Sequence, residues 1–216
     1  MVKAVIFDMD GLMIDSERVT FECYKEVLKE MNLTMDEEFY KTLLGKPVKG
    51  IQQRFYDVYG NDFPIEDVMK KVHALIAEKF ETEGVPVKKG LVSLLQYLKE
   101  NSYKTIVATS SNRNRVDTIL KQAGITDYFD DSICGDEVTK GKPDPEIFLK
   151  ACQKLNVAVD EAVVLEDSEA GIQASYDAHI KVICIPDMKY PEKQYEEKAA
   201  SVLKDLGEVK TLLMAQ

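Results

Sequence analysis

The segment VKAVIFDMDG, residues 2–11, opens the chain with a short apolar run that ends in an Asp-x-Asp-Gly turn. Residues 2–7 are rich in β-branched side chains, which is typical of a strand buried on both faces. Four later apolar stretches repeat this pattern and are each followed by polar residues, at 105–108, 131–134, 162–165 and 181–185. Helical periods separate them, for example Leu91 to Leu98 and Val116 to Ala123. Strands that alternate with helices predict an α/β fold with a doubly wound, Rossmann-like parallel sheet.

One long segment interrupts this alternation directly after the first strand. Residues 16–81 contain consecutive helical periods and no convincing strand, so they predict a helical cap inserted into the sheet domain. Leu12 to Ser16 and the turn formers Gly84, Pro86 and Gly90 mark the two connections to this insertion. We therefore predict a core domain made of 1–15 and 82–216, and a cap domain of 16–81.

Composition and charge exclude several classes of protein. The formal net charge is −10, from 28 basic and 38 acidic side chains, whereas a nucleic-acid surface needs a basic patch. No apolar run reaches the roughly 18 residues of a membrane span, and no secretory leader is evident. The four cysteines have no metal-binding spacing and lie among apolar neighbours, which predicts buried free thiols and a cytoplasmic location.

Polar side chains follow the predicted strands, at the edge of the sheet where α/β proteins bind ligands. They are Asp8, Asp10, Thr109, Ser110, Lys142, Glu166 and Asp167. Four carboxylates converging at one edge repel one another, and a hard divalent cation with oxygen ligands relieves that repulsion. Because no His or Cys lies among the candidates, Mg²⁺ is the expected ion.

Each of these segments also has an ordinary structural explanation. An Asp-x-Asp-Gly stretch can be a simple turn, and the serine and threonine side chains at 109–111 can cap the following helix. Lys142 can be a solvated lysine, and Glu166 with Asp167 can face the dipole of a helix N-terminus. The functional interpretation is favoured because all four segments occur in order, each after a predicted strand.

With these four segments the chain resembles the haloacid dehalogenase superfamily over nearly its whole length. The matching motifs are Asp8-Met9-Asp10-Gly11 followed by Asp15-Ser16-Glu17, then Thr109, then Lys142-Pro143, and finally Glu166-Asp167-Ser168-Glu169-Ala170-Gly171. The helical insertion resembles the small cap of the subgroup that contains β-phosphoglucomutase, phosphoglycolate phosphatase and sugar-phosphate phosphatases.

The resemblance implies a role for each residue. Asp8 would be the nucleophile that forms an aspartyl phosphate, and Asp10 would act first as acid and then as base. The implied metal ligands are Asp8, Asp10 through its backbone carbonyl, Asp167, and Glu166 directly or through water. Thr109 and Lys142 complete the catalytic set. The expected substrate-binding residues are Glu17, Gly45, Lys46, Thr109, Ser110, Ser111, Asn112 and Lys142.

The resemblance implies a Mg²⁺-dependent phosphatase that acts as a monomer on a small phosphorylated metabolite, such as a sugar phosphate. A β-phosphoglucomutase is the main alternative. Members of that kind carry a histidine where this chain has Val19-Thr20, and an arginine in the cap loop where it has Lys46 and Lys49. A non-catalytic phosphate-binding protein is a further alternative, although it would be expected to lose some motif residues.

Overall fold

The computed structural model describes residues 2–215, so the first and last positions of the predicted core domain lie outside the described residues. The strands are β1 Ala4–Phe7, β2 Lys104–Ala108, β3 Asp131–Ile133, β4 Ala162–Glu166, β5 Lys181–Cys184 and β6 Ser201–Val202. The helices are α1 Ser16–Glu30, α2 Glu37–Lys41, α3 Val48–Tyr59, α4 Ile65–Thr82, α5 Leu91–Glu100, α6 Arg113–Gln122, α7 Glu146–Leu155, α8 Glu169–Asp177, α9 Lys193–Glu196 and α10 Leu206–Met214.

The six strands form one sheet in the order β3-β2-β1-β4-β5-β6, and every pairing is parallel. This confirms the predicted α/β fold with a doubly wound parallel sheet. The sequence prediction missed β6, because a two-residue edge strand that starts with a serine carries no apolar run. The order reverses between β1 and β4, which opens a crevice at their carboxyl ends.

The central strand β1 explains how the first motif is held. All four of its residues are buried, since helices cover both faces of a parallel sheet. Phe7 lies opposite Val107 of β2 and Leu165 of β4, so the next residue, Asp8, emerges between the ends of these two strands. The amide of Asp8 still donates to the Leu165 carbonyl at 3.0 Å, which fixes the backbone where the motif begins.

Helices α7 and α8 pack against the sheet through a cluster of buried apolar side chains. Ile6 of β1, Phe148 of α7 and Ile172 of α8 belong to it and are fully buried. Burying side chains of this size contributes roughly 1.5–3 kcal/mol each, so this layer holds α7 and α8 firmly behind the carboxyl ends of the strands.

The described chain divides into two compact units, of which one joins the residues up to Asp15 to those from Val85 onward and the other is Ser16–Gly84. Between Ser16 and Gly84 the structure contains α1 to α4 and no strand, which confirms the helical insertion after β1. The predicted limit at residue 81 falls inside α4, because this helix runs to Thr82. The functional division into catalytic core and substrate-selecting cap stays a prediction.

Two features expected from the sequence, the cysteines and the absence of a membrane span, can be compared with the described residues. Cys23, Cys134, Cys152 and Cys184 are all buried and free, as predicted. Among the described residues, no helix combines the length and apolar character required to cross a membrane.

Candidate active site

Asp8 and Lys142 form a buried ion pair at the end of β1. The Lys142 ammonium lies 2.5 Å from Oδ1 of Asp8 and 2.6 Å from Oε1 of Glu166, and it donates to the Ala108 carbonyl at 3.0 Å. Its Nζ also lies 4.9 Å from the centre of the Phe148 ring, a distance at which the ring face attracts a cation. With three oxygen acceptors around three ammonium hydrogens, Lys142 is fixed in place rather than solvated.

Glu166 is fully buried, and both of its carboxylate oxygens accept hydrogen bonds. Oε1 faces Lys142, while Oε2 accepts from the amides of Asp167 and Ser168 and from the Ser168 hydroxyl, each at 2.9 Å. Helix α8 makes room for this carboxylate only because residue 171 is glycine, since a Cβ there would lie 1.7 Å from Oε1. Glu166 thus ties Lys142 to the loop that carries Asp167.

Asp167 lies directly against the first motif. A Cβ on Gly11 would come within 2.3 Å of Oδ2 of Asp167, and Gly11 has φ +84°, a conformation that side chains other than glycine rarely adopt. Asp8, Glu166 and Asp167 each offer a carboxylate oxygen, and these oxygens lie within 4.8 Å of one another. This spacing and an oxygen-only donor set fit a hard divalent cation.

The electrostatics of these carboxylates match that interpretation. Burial raises the pKa of Asp8 to about 7, with the charges of Glu166 and Asp10 adding to the rise and Lys142 opposing it. Burial also raises the pKa of Asp167 well above its usual range, and Glu166 and Asp8 add to this effect. The pKa of Lys142 is lowered by burial but raised more by Asp8 and Glu166, so the lysine stays charged. The cluster therefore has more negative charge than Lys142 alone can offset.

Asp10 faces cationic and hydroxyl donors rather than the carboxylate cluster. Its Oδ2 accepts from the Ser111 hydroxyl at 2.8 Å, and its Oδ1 forms an ion pair with Nη2 of Arg115 at 2.7 Å. Arg115 is not among the residues predicted from the sequence, because it lies 105 residues from Asp10 and belongs to no recognised motif. Its position in the first turn of the helix that follows the second motif is the only signal that could have indicated it.

The second motif forms a short turn after β2. Thr109 is buried, and its hydroxyl oxygen accepts from the Ser111 amide at 3.1 Å, whereas Ser110 is exposed. Asn112 caps α6, since its side-chain oxygen accepts from the Arg115 amide at 3.0 Å. The helix cap is thus Asn112 rather than the earlier residues of the motif.

The remaining predicted binding residues belong to the unit Ser16–Gly84. There Glu17 accepts a 2.6 Å hydrogen bond from the Tyr40 hydroxyl, and burial raises the pKa of that tyrosine. Gly45 has φ +71° and Lys46 is exposed, both in the turn that leads into α3. Their roles in substrate binding stay predictions.

Comparison with known proteins identifies relatives over most of the chain. Residues 5–185 match the model of a family described as haloacid dehalogenase-like hydrolase. A phosphorylated carbohydrates phosphatase of Thermotoga maritima is 32% identical over 84% of both chains, and a validoxylamine A 7'-phosphate phosphatase of Streptomyces hygroscopicus subsp. limoneus is 30% identical over 97% of both. A T. maritima crystal structure provisionally assigned as a β-phosphoglucomutase is 29% identical, with TM-score 0.83 over 99% of both chains.

Proposed function

The chain belongs to the haloacid dehalogenase-like hydrolases, and we propose that it is a Mg²⁺-dependent phosphatase of a small phosphorylated carbohydrate. The observation that carries this proposal is the buried Asp8 carboxylate, bonded to Lys142 and within 4.8 Å of the Asp167 carboxylate. A carboxylate nucleophile needs positive charge beside it, because it must approach a phosphate group that is also negatively charged. The names of the two relatives that act on phosphorylated compounds support the choice of substrate class.

The reaction we propose has two displacements at phosphorus. A carboxylate oxygen of Asp8 bonds to phosphorus while the ester P–O bond breaks, and Asp10 gives a proton to the departing alcohol oxygen. Water then attacks the aspartyl phosphate and loses a proton to Asp10, the P–O bond to Asp8 breaks, and inorganic phosphate leaves. Lys142, the Thr109 hydroxyl and the Ser110 amide offset the charge that the phosphoryl oxygens carry in both steps.

The cation fits the donors that this chain offers. Asp8 and Asp167 would hold it, with the Asp10 carbonyl as the third ligand, and Mg²⁺ would supply positive charge to both the nucleophile and the phosphoryl oxygens. Glu166 is better suited to organise the site than to bind the ion directly, because its Oε2 already accepts from three donors and its Oε1 from Lys142.

In this proposal the helical insertion discriminates between leaving groups. Glu17, Gly45 and Lys46 are the residues that we propose contact the substrate beyond its phosphoryl group. Lysine presents a point charge where an arginine would bind a second phosphate through two hydrogen bonds, which supports hydrolysis over return of the phosphoryl group to a sugar phosphate.

The test is phosphate release from a panel of phosphomonoesters that includes β-glucose 1-phosphate and glucose 6-phosphate, with Mg²⁺ and with chelator. The variant Asp8→Asn should remain folded and lose turnover by at least about three orders of magnitude, whereas Asp62→Asn, an exposed aspartate, should match the wild type. Intact-mass analysis of acid-quenched wild type should detect one added phosphoryl group that Asp8→Asn lacks. Interconversion of the two glucose phosphates without phosphate release would replace the proposal by a mutase, and turnover by Asp8→Asn would overturn the nucleophile.

A further inference from the structure

The side chain of Asp10 is held at both oxygens by residues from one segment of the chain. Oδ2 accepts from the Ser111 hydroxyl at 2.8 Å, and Oδ1 pairs with Nη2 of Arg115 at 2.7 Å. The Asp10 side chain is 27% exposed and that of Arg115 is 36% exposed, so the contact lies at the rim of the buried cluster. Asp10 therefore has no carboxylate oxygen that is free of a donor in this arrangement.

The backbone of Arg115 is fixed independently of this ion pair. The Arg115 amide donates to the capping oxygen of Asn112 at 3.0 Å, and Val116, the next residue of α6, is fully buried. The guanidinium thus reaches Asp10 from a firmly held first helical turn. Ser111 is in the turn before the helix and is joined to Thr109 through a 3.1 Å hydrogen bond.

The two bonds to Asp10 differ in strength. Both bonds have the ionised Asp10 carboxylate as acceptor, but only the guanidinium also carries a charge on the donor, so the Arg115 contact adds an ion-pair attraction that the serine hydroxyl lacks. The serine also belongs to the turn that we propose binds the phosphoryl group. Of the two bonds, the one from Ser111 to Oδ2 is therefore the one that we expect to break when substrate arrives.

We propose that Arg115 is a positioning residue, which anchors Oδ1 of Asp10 so that Oδ2 becomes the oxygen that exchanges the proton once Ser111 turns toward the substrate. This inference rests on the proposed phosphatase function. It assigns the proton transfer to one named oxygen and links the release of that oxygen to occupation of the site. A purely structural ion pair, or an arginine that binds substrate itself, would behave differently.

The test compares Arg115→Met and Arg115→Lys with Lys121→Met, which removes one positive charge at an exposed position of the same helix. The assays use p-nitrophenyl phosphate, whose leaving group needs little protonation, and phenyl phosphate, whose leaving group needs more. General acid–base catalysis contributes about 10²–10⁴-fold, so misplacement of Asp10 in Arg115→Met should lower kcat for phenyl phosphate by about 10–100-fold and leave KM within about threefold. In rapid-quench experiments the first release of p-nitrophenol should stay near the wild-type rate, and Arg115→Lys should recover part of the loss.

A double-mutant cycle separates action through Asp10 from other roles. In an Asp10→Asn background, Arg115→Met should reduce kcat no further, because the group that it positions is already absent. An equal additional loss in that background, or a rise in KM with unchanged kcat, would overturn the inference. So would a loss in Lys121→Met as large as that in Arg115→Met. Failure of the phosphatase proposal would be recognised separately, since wild type would then release phosphate from neither aryl ester.

Discussion

Replacement of Gly171 by alanine tests whether the Glu166 carboxylate organises the site. A Cβ at this position would lie 1.7 Å from Oε1, 1.9 Å from Cδ and 2.5 Å from Oε2 of Glu166, and ordinary contact begins at 3.4 Å. The carboxylate must therefore move by about 1.7 Å, unless α8 itself shifts. Such a movement exceeds what the 2.6 Å contact with Lys142 and the 2.9 Å bonds from residues 167 and 168 can absorb.

The size of the effect follows from the bonds that are lost. Hydrogen bonds to charged groups contribute about 1.5–3 kcal/mol each, so the loss of two costs about 3–6 kcal/mol. Alanine is better than glycine inside a helix by about 1 kcal/mol, which offsets part of that cost. We expect Gly171→Ala to lower the free energy of unfolding by about 2–5 kcal/mol and Tm by roughly 5–15 °C.

Thermal unfolding followed by circular dichroism measures this difference against a matched control. Gly50 is also in the first turn of a helix, but a Cβ there would meet Lys46 at 3.5 Å and Pro47 at 3.6 Å, which are ordinary contacts, so Gly50→Ala should be neutral or slightly stabilising. In a Glu166→Ala background the cost of Gly171→Ala should largely disappear, because the atoms that clash are gone. Equal melting of Gly171→Ala and Gly50→Ala would refute the reasoning.

Three further predictions concern charge in the cluster. Lys142→Met leaves Asp8 and Glu166 buried without a cation, so we expect a loss of about 3–5 kcal/mol in chemical denaturation together with loss of turnover, while Lys140→Met at an exposed position should change neither. Folding raises the pKa of Asp8 from 3.8 to about 7, so the protonated carboxyl favours the folded state. Its contribution to the free energy of unfolding, measured by chemical denaturation, should be fully present below about pH 4 and should be lost as pH rises toward about 7. Mg²⁺ bound as we propose would need the ionised form, so at 100 times Kd it should raise Tm by roughly 5–10 °C near pH 8 and by less near pH 5, and an equal shift at both would contradict this.

The fold could be predicted because its signals are local. Each central strand is a short apolar run followed by polar residues, and the parallel order follows from helices between strands. The two-residue strand β6 could not be found in this way, since Ser201 and Val202 are only partly buried and pair with one neighbour at the sheet edge. It is a strand only because it pairs with β5, and its own residues do not indicate that pairing.

The location of the candidate residues at one edge of the sheet could be predicted, but their pairings could not. The sequence indicated that Lys142 and Glu166 lie at the same edge of the sheet, but not that the lysine joins Glu166 to Asp8. It also did not indicate Arg115, because a lone arginine on a helix is usually a solvated side chain. The direction of a long side chain depends on the packing of the helix that carries it, and a pattern of residue types along the chain does not contain that information.

The ion pairs of Lys142 with Asp8 and Glu166 favour a divalent over a monovalent cation at this site. Asp8, Glu166 and Asp167 contribute three carboxylates, and Lys142 is bonded to two of them. If Glu166 and Lys142 neutralise each other, Asp8 and Asp167 retain two negative charges in a buried place, where isolated charge is costly. One divalent cation would neutralise both and leave Asp8, the nucleophile that we propose, ionised. A monovalent ion would leave one negative charge in the path of an anionic phosphate, so Na⁺ or K⁺ in place of Mg²⁺ should support folding better than turnover.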